Sequence, residues 1–193
     1  MKERIERGEL GTRISCRLAG ELNTRLRSIR KPTIACVEGA AAGAGMCLML
    51  SCDFQIVAED TKMVFSFVNI GYVPDSGATY LVTRAVGTTR ATDLLMSGRR
   101  FTGREAAQWG LVTEAVPREQ LEQRLQAYLD KYANGPTAAY GRIKAMINAA
   151  QFDRFNDGIQ NEIFYQGECE ETEDHKRAVL AFFEKKKPEF IGK

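Results

Sequence analysis

Histidine is nearly absent from this chain of 193 residues, which contains only His175. That residue lies in the polar stretch EDHKR. A histidine-based catalytic triad or a multi-histidine metal site within this chain is therefore excluded, and we expect no bound metal.

The cysteines of this chain show no pairing motif. The chain has five cysteines, none of them in a C-x-x-C arrangement: Cys16, Cys36, Cys47, Cys52 and Cys169. This spacing is not typical of a zinc site or a redox pair. We expect free, mostly buried thiols, as in a protein of the reducing cytoplasm.

The sequence also lacks the long apolar runs that a membrane protein needs. No run approaches the roughly 20 apolar residues of a membrane span, and residues 1–10 are too charged for a secretory signal. The 27 basic and 25 acidic residues leave a net charge of +2, which implies neither nucleic acid nor a membrane surface as a partner. We expect a cytoplasmic globular protein, since 44% of its residues are hydrophobic.

The most informative stretch is 31–53, KPTIACVEGAAAGAGMCLMLSCD. Its pattern predicts a buried strand at Thr33–Val37, a glycine and alanine loop at Gly39–Gly45, and a buried helix at Met46–Leu50. Free backbone N–H groups at the start of that helix are easily approached, because glycine and alanine have almost no side chain. Such groups suit an oxyanion hole, which binds a carbonyl oxygen that gains negative charge.

The same small-residue turn is also compatible with tight packing between a strand and a helix, without any ligand. It is not a phosphate-binding P-loop because no Lys-Ser/Thr pair follows it. It also lacks the third glycine of the dinucleotide-binding fingerprint. Spacing alone leaves the oxyanion hole and the packing turn as alternatives.

The rest of the pattern divides the chain into two parts. Helices are predicted at 2–30, with glycines that favour a start near Thr12, and at 79–86, 88–96 and 103–109; short strands or apolar runs are predicted at 54–58, 63–67 and 111–116. From residue 118 onward the pattern is almost entirely helical. We expect a partial α/β core in 1–117 and a C-terminal helical region in 118–193.

Several motifs together resemble the crotonase superfamily, also called the enoyl-CoA hydratase/isomerase family. They are KPTIACVEGAAAGAG (Lys31–Gly45), SCD (Ser51–Asp53), IGYVPDSG (Ile70–Gly77), AVGTTRA (Ala85–Ala91), GRRFTGREAAQWGLV (Gly98–Val112) and FFEKKKPEF (Phe182–Phe190). Each motif is modest, but their joint occurrence in the family's order is specific.

The resemblance implies a spiral of ββα turns that binds acyl-CoA thioesters, with no cofactor beyond the coenzyme A of the substrate. It also implies C-terminal helices that build homotrimers, often paired into hexamers. One N–H group of the oxyanion hole maps to Ala44, and the other to an upstream F-x-A-G-x-D strand-loop that this sequence lacks. We therefore expect an N-terminally truncated member of the family.

The resemblance favours isomerisation over hydration. Hydratases of the family use two glutamates, and the matching positions here are Cys47 and Phe67, neither of which is suited to that proton transfer. Asp75, in VPDSG, resembles the catalytic aspartate of members that shift double bonds, above all the phenylacetate-pathway ring-epoxide isomerases. One carboxylate suffices for isomerisation, because it takes a proton at one carbon and returns it at another.

Other interpretations of the motif stay open at this point. Asp75 also matches the nucleophilic aspartate of aryl-CoA dehalogenases. Without the resemblance, the sequence favours a turn residue after a proline that bonds its own backbone. The chain is alternatively a hydratase, or a non-catalytic subunit that binds coenzyme A.

The resemblance also names residues for substrate binding. Beside Asp75 and Ala44 these are Gly43, Gly45, Phe67 and Ser76 near the reacting group, and Phe164, Phe182 and Lys185 near the adenine or phosphates of coenzyme A. The alternative for the two C-terminal phenylalanines is helix packing, and for the lysine a solvated helix end.

Overall fold

The computed structural model describes residues 13–193, so the part of the first predicted helix before residue 13 lies outside the described residues. Its helices are α1 Arg13–Ser28, α2 Ala44–Leu50, α3 Ala78–Ser97, α4 Gly103–Gln108, α5 Leu121–Ala133, α6 Thr137–Gln151, α7 Phe155–Glu171 and α8 Glu173–Phe183. Its strands are β1 Ile34–Val37, β2 Ala40–Ala42, β3 Phe54–Ala58, β4 Lys62–Val64, β5 Arg100–Thr102 and β6 Glu114–Val116. Short 3-10 turns occupy Val68–Ile70 and Arg118–Gln120.

The strands form two sheets between which the chain alternates. One sheet has the order β1-β3-β6 and only parallel pairs. The other has the order β2-β4-β5, with β2 and β4 parallel and β4 and β5 antiparallel. Because β1 and β2 lead into α2, and β3 and β4 lead into α3, the chain repeats a ββα unit. The predicted ββα architecture is confirmed.

The core is built on both faces of β3. Its residues Ile56, Val57 and Ala58 have no exposed surface. Successive strand residues point to opposite faces, so Val57 joins the main core with Met46 of α2, whereas Ile56 and Ala58 pack against Leu121 of α5. The strand is thus covered by the α/β part on one face and by the helical part on the other.

The predicted loop at residues 39–45 is wrong in its centre, where Ala40–Ala42 form β2. Alanine has a low strand propensity, so the pattern alone does not indicate a strand there. Pairing with the neighbouring strand β4 imposes the extended conformation, and the N–H of Gly43 continues it by donating to the carbonyl of Val64 at 3.0 Å.

Two further boundaries differ from prediction. The strand predicted at 111–116 is confined to Glu114–Val116, while Leu111 and Val112 are buried in the preceding turn. The helices predicted at 79–86 and 88–96 meet end to end in α3, where Gly87 has φ 73° and ψ 167°. The predicted break between the two helices is thus a kink at Gly87 within α3.

The expectation of mostly buried thiols is also wrong. All five cysteines are free, but only Cys16 and Cys47 are buried. Cys36 is exposed because it lies on β1, which is the outer strand of its sheet within residues 13–193. Cys52 and Cys169 are half-buried.

The C-terminal helices pack onto the α/β part rather than projecting from it. Phe155 and Ile159 of α7 belong to the main core, and α7 contacts α1 and α3. The division near residue 117 therefore stays a prediction about sequence pattern. None of the helices in residues 13–193 is both long and apolar enough to cross a bilayer.

A buried ion pair fastens α6 to the start of the first sheet. The ammonium of Lys144 lies 2.8 Å from Asp53 Oδ2, and the lysine side chain is 7% exposed. The same carboxylate oxygen accepts hydrogen bonds from the N–H and the hydroxyl of Thr33, at 2.8 and 2.9 Å. Both charges are thus compensated inside the protein.

We expect Lys144→Met to lower the free energy of unfolding by about 3 kcal/mol, because it leaves the Asp53 carboxylate without its ion-pair partner. Urea unfolding followed by circular dichroism measures the change. The matched control is Arg99→Met, which breaks an exposed pair with Asp93 and is expected to cost less than about 1 kcal/mol. Equal losses in the two variants would contradict the role given to Lys144.

Candidate active site

The first element of the site is the turn that starts α2. Gly43 has φ 50° and ψ −124°, a conformation that residues with a Cβ atom rarely adopt. It also has no side chain to cap the helix, so the first N–H groups of α2 receive no side-chain partner from it. Ala44 and Gly45 follow at the helix start and are exposed.

The second element is a sharp elbow that precedes α3. Ser76 has φ 60° and Gly77 has φ 84°, so two successive residues are left-handed. Such a conformation costs a non-glycine residue about 1 kcal/mol or more and persists only when the surroundings hold it. Here Asn23 of α1 holds it, because its amide donates to the Ser76 carbonyl at 2.8 Å.

Asp75 lies at the start of this elbow, and both of its carboxylate oxygens contact neutral donors. Ser76 Oγ donates to Oδ1 at 2.6 Å, and Gln166 Nε2 donates to Oδ2 at 3.0 Å. The Cys16 thiol lies 3.6 Å from Oδ2. The side chain is half-buried, and these contacts fix its orientation without an ion pair to any residue of 13–193.

The two elements meet at Cys47. Its sulfur lies 3.6 Å from the carbonyl oxygen of Gly43 and 3.5 Å from that of Asp75. Burial raises the pKa of this thiol well above its ordinary value, and the neighbouring Asp75 charge acts in the same direction. Cys47 therefore stays protonated and uncharged.

Phe67 closes the same region. Its ring lies 3.8 Å from the position that a Cβ atom on Gly43 would occupy, and the residue is buried. The structure thus brings together Gly43, Cys47, Phe67, Asp75 and Ser76, with Ala44 and Gly45 at the adjoining helix start. Neither Cys47 nor Phe67 supplies a carboxyl group.

Two site residues that the sequence analysis missed come from α7. Glu162 is buried and accepts hydrogen bonds from the N–H groups of Gly77 and Thr79, at 2.7 and 2.8 Å. Burial raises the pKa of this carboxyl group, although the two backbone N–H groups act against that shift. Because these N–H groups begin α3, Glu162 caps that helix from a distant segment.

The other missed residue is Gln166, one turn after Glu162 on the same face of α7. The sequence contains a signal for both, because Phe155, Ile159, Glu162 and Gln166 recur at intervals of three or four residues. Two polar residues on an otherwise apolar face indicate buried partners for them. Their partners, however, lie 83 to 150 residues earlier in the chain.

The three residues predicted near coenzyme A lie on the surface. Phe164 is 61% exposed and meets Tyr165 edge-on, and Phe182 is 66% exposed and meets Phe183 in the same way. Lys185 is exposed just after α8 and has φ 56°. Helix packing does not account for such exposed rings. Contact of these three residues with a ligand stays a prediction.

The loop before Asp75 is held by α8. His175 is buried, its ring stacks on that of Tyr72 with the centroids 3.7 Å apart, and its Nδ1 lies 2.7 Å from the Ile70 carbonyl oxygen. The surrounding sequence is polar, so only the structure reveals this burial. Within residues 13–193, no group of three or more histidine, cysteine or acidic side chains is placed to hold a metal ion.

Sequence comparisons identify relatives along almost the whole chain. A family model described as enoyl-CoA hydratase/isomerase matches residues 2–193. The chain is 35% identical over 177 residues to 1,2-epoxyphenylacetyl-CoA isomerase of Escherichia coli, covering 92% of this chain and 68% of that protein. It is 32% identical over 176 residues to trans-2-decenoyl-[acyl-carrier-protein] isomerase of Streptococcus mutans, covering 91% and 67%.

A third relative carries a different name. It is a probable enoyl-CoA hydratase of Rhodobacter capsulatus, 36% identical over 162 residues that cover 84% of this chain and 63% of that protein. Among solved structures, an enoyl-CoA hydratase from Mycobacterium avium subsp. paratuberculosis superposes with a TM-score of 0.89 and 30% identity, covering 94% of this chain and 74% of that one. The chain thus spans about two thirds of the length of the curated relatives it matches.

The burial of His175 predicts how stability depends on pH. Burial lowers the pKa of its imidazole, so the folded chain holds it neutral. As the pH falls through about 6.5, the ordinary value, the unfolded chain takes up a proton that the folded chain resists, and the free energy of unfolding decreases. This contribution to stability is present above that pH and is lost below it.

Urea unfolding at pH 7.5 and at pH 5 tests this for the parent chain and for His175→Phe, which keeps an aromatic ring against Tyr72 but does not titrate. The variant is expected to be less stable at pH 7.5 and to lose less stability on acidification. An identical pH dependence in both proteins would show that His175 does not contribute to it.

Proposed function

Because this chain belongs to the enoyl-CoA hydratase/isomerase family, we propose that it is an enzyme that shifts a double bond in an enoyl thioester, with Asp75 as the acid/base. The observation that carries the proposal is the position of Asp75. Its carboxylate stands at a rigid elbow, and its backbone lies against the glycine turn of α2 through Cys47.

The proposed reaction moves one proton and one double bond. The Asp75 carboxylate removes a proton from the α or γ carbon, and the electron pair flows into the thioester carbonyl to give a conjugated enolate. The Ala44 N–H, at the start of α2, donates to the oxygen that becomes negative. The protonated Asp75 then returns the proton at the other carbon, which restores the carboxylate and completes the shift.

The chemical environment of Asp75 suits a single-carboxylate mechanism. The Phe67 ring bears no proton that it can exchange, and Cys47 remains a neutral thiol. Asp75 is therefore the carboxyl group that we assign to both proton transfers.

The carrier of the acyl group is part of the proposal. One relative is named for a coenzyme A thioester and another for an acyl-carrier-protein thioester, and both contain the same reacting group. For coenzyme A, we propose that Phe164, Phe182 and Lys185 contact the adenine and phosphates, in part across a subunit boundary of a homotrimer or hexamer. A lysine ammonium at that position would pair with a phosphate.

Hydration is the second candidate function, because the Rhodobacter capsulatus relative is named a probable hydratase. It requires an acid and a base around one water molecule, and Asp75 would then need a partner other than Cys47 and Phe67. A dehalogenase-like attack by Asp75 and a non-catalytic role in binding coenzyme A are further alternatives. Isomerisation, hydration and dehalogenation differ in their products, and the non-catalytic role gives none.

The test is proton exchange in deuterated water with a panel of 2-enoyl-, 3-enoyl- and ring-type acyl-CoAs and one acyl-carrier-protein thioester. We expect deuterium at the α and γ carbons with the parent chain. Asp75→Asn should lower the exchange rate about 100-fold or more, because it removes the proton acceptor. Asp60→Asn, a change at an exposed aspartate, is the matched control and should leave the rate unchanged.

Each alternative has its own outcome. Exchange that survives in Asp75→Asn would remove Asp75 from the mechanism. A 3-hydroxyacyl product would establish hydration, and halide release from a halogenated aryl-CoA would establish dehalogenation. Saturable binding of coenzyme A without exchange on any panel member would support the non-catalytic role.

A further inference from the structure

The side-chain amide of Gln166 is enclosed between three partners. The residue is 1% exposed. Its Nε2 faces the Val73 carbonyl oxygen at 3.2 Å and Asp75 Oδ2 at 3.0 Å, and its Oε1 faces the Cys16 thiol. The Gln166 amide and its three partners belong to three separate segments of the chain: α1, the loop before α3, and α7.

The chemistry of these partners fixes the amide in one orientation. A backbone carbonyl such as that of Val73 only accepts hydrogen bonds, so a nitrogen must face it. Burial, followed by the charge of Asp75, raises the pKa of Cys16 to about 12, so the thiol keeps its proton and donates it to Oε1. A flipped amide would place oxygen against two acceptors and nitrogen against a donor.

We propose that Gln166 is a positioning residue for Asp75, and that α7 thereby takes part in setting the geometry of the acid/base. This inference rests on the proposed function of Asp75. Ser76 holds Oδ1 from within the elbow, whereas Gln166 holds Oδ2 from a helix 91 residues away in sequence. Two neutral donors on opposite oxygens fix the plane of the carboxylate.

The electrostatic surroundings of Asp75 allow the positioning role of Gln166 to be tested by placing a second carboxyl group at residue 166. Within residues 13–193, the titratable groups that interact electrostatically with Asp75 are Cys16 of α1, Cys47 of α2 and Glu162 of α7, and none of these three is a cation. A carboxyl group in place of the Gln166 amide would stand about 3 Å from Asp75, which forms no salt bridge with any cation of the described part of the chain. Two carboxyl groups at that distance share one proton and titrate as a pair.

The decisive variants are therefore Gln166→Glu and Gln166→Met, which both keep the length of the side chain. The readout is the pH profile of kcat/KM for proton exchange, with the panel thioester that the parent chain processes fastest. Gln166→Glu should move the acidic limb upward by about one pH unit or more, because the pair retains its shared proton to higher pH. Gln166→Met should lower kcat about tenfold and leave KM within about twofold, since it removes one hydrogen bond from the base and none from the substrate.

Gln55→Glu is the matched control, because it places a carboxyl group at another buried amide that contacts Cys52 and Thr113 rather than Asp75. It should leave the acidic limb in place. Circular dichroism and urea unfolding of every variant identify those that are folded, and kinetics are compared only among them.

The outcomes separate this inference from the proposed function. An unshifted limb in Gln166→Glu together with parent-like kcat in Gln166→Met, while Asp75→Asn is inactive, would overturn the positioning role and leave the function of Asp75 intact. An equal limb shift in Gln55→Glu would likewise overturn it. Full activity of Asp75→Asn would refute the proposed function itself, whatever the Gln166 variants do.

Discussion

The contact between Glu162 and the first N–H groups of α3 is the constraint on which the candidate site depends. The elbow that carries Asp75 has two left-handed residues and would not hold this shape alone. Glu162 of α7 accepts hydrogen bonds from the N–H groups of Gly77 and Thr79. Asn23 of α1 donates a hydrogen bond to the Ser76 carbonyl, so two helices hold the elbow in place. The cost of burying a carboxylate is offset by two backbone donors and by the positive end of α3, whose first segment runs unbroken up to the kink at Gly87.

The candidate site combines this elbow with the solvent-accessible glycine turn at the start of α2. Gly43 adopts a conformation suited to glycine, and Ala44 and Gly45 leave the start of α2 accessible. If Asp75 is the acid/base, as proposed, it lies beside an accessible backbone donor. Enolate chemistry requires this arrangement, since the oxyanion and the migrating proton both need partners. The neutrality of Cys47 fits the proposed function, because a thiolate beside an oxyanion at the start of α2 would oppose its formation.

Local pattern and resemblance predicted much of this architecture, but not the partners of Asp75. The order of strands and helices follows from local patterns, whereas the joint position of Gly43, Phe67 and Asp75 follows from the family resemblance. Periodicity shows which face of α7 is buried, but it does not show that Glu162 meets α3 or that Gln166 meets Asp75. Such contacts are set by tertiary structure. The same holds for β2, where pairing overrides the weak propensity of alanine.

The sequence distance between Asp75 and Gln166 has a consequence for biosynthesis. Contacts between residues far apart in sequence form late, because the entropy cost of closing a long loop precedes the stabilisation that the contact provides. When Asp75 leaves the ribosome, α7 has not been fully translated. The elbow at that stage lacks its contacts with Glu162 and Gln166. The nascent chain therefore carries the whole glycine turn while Asp75, the proposed acid/base, still lacks its contacts with α7. These contacts become possible only after α7 has been translated.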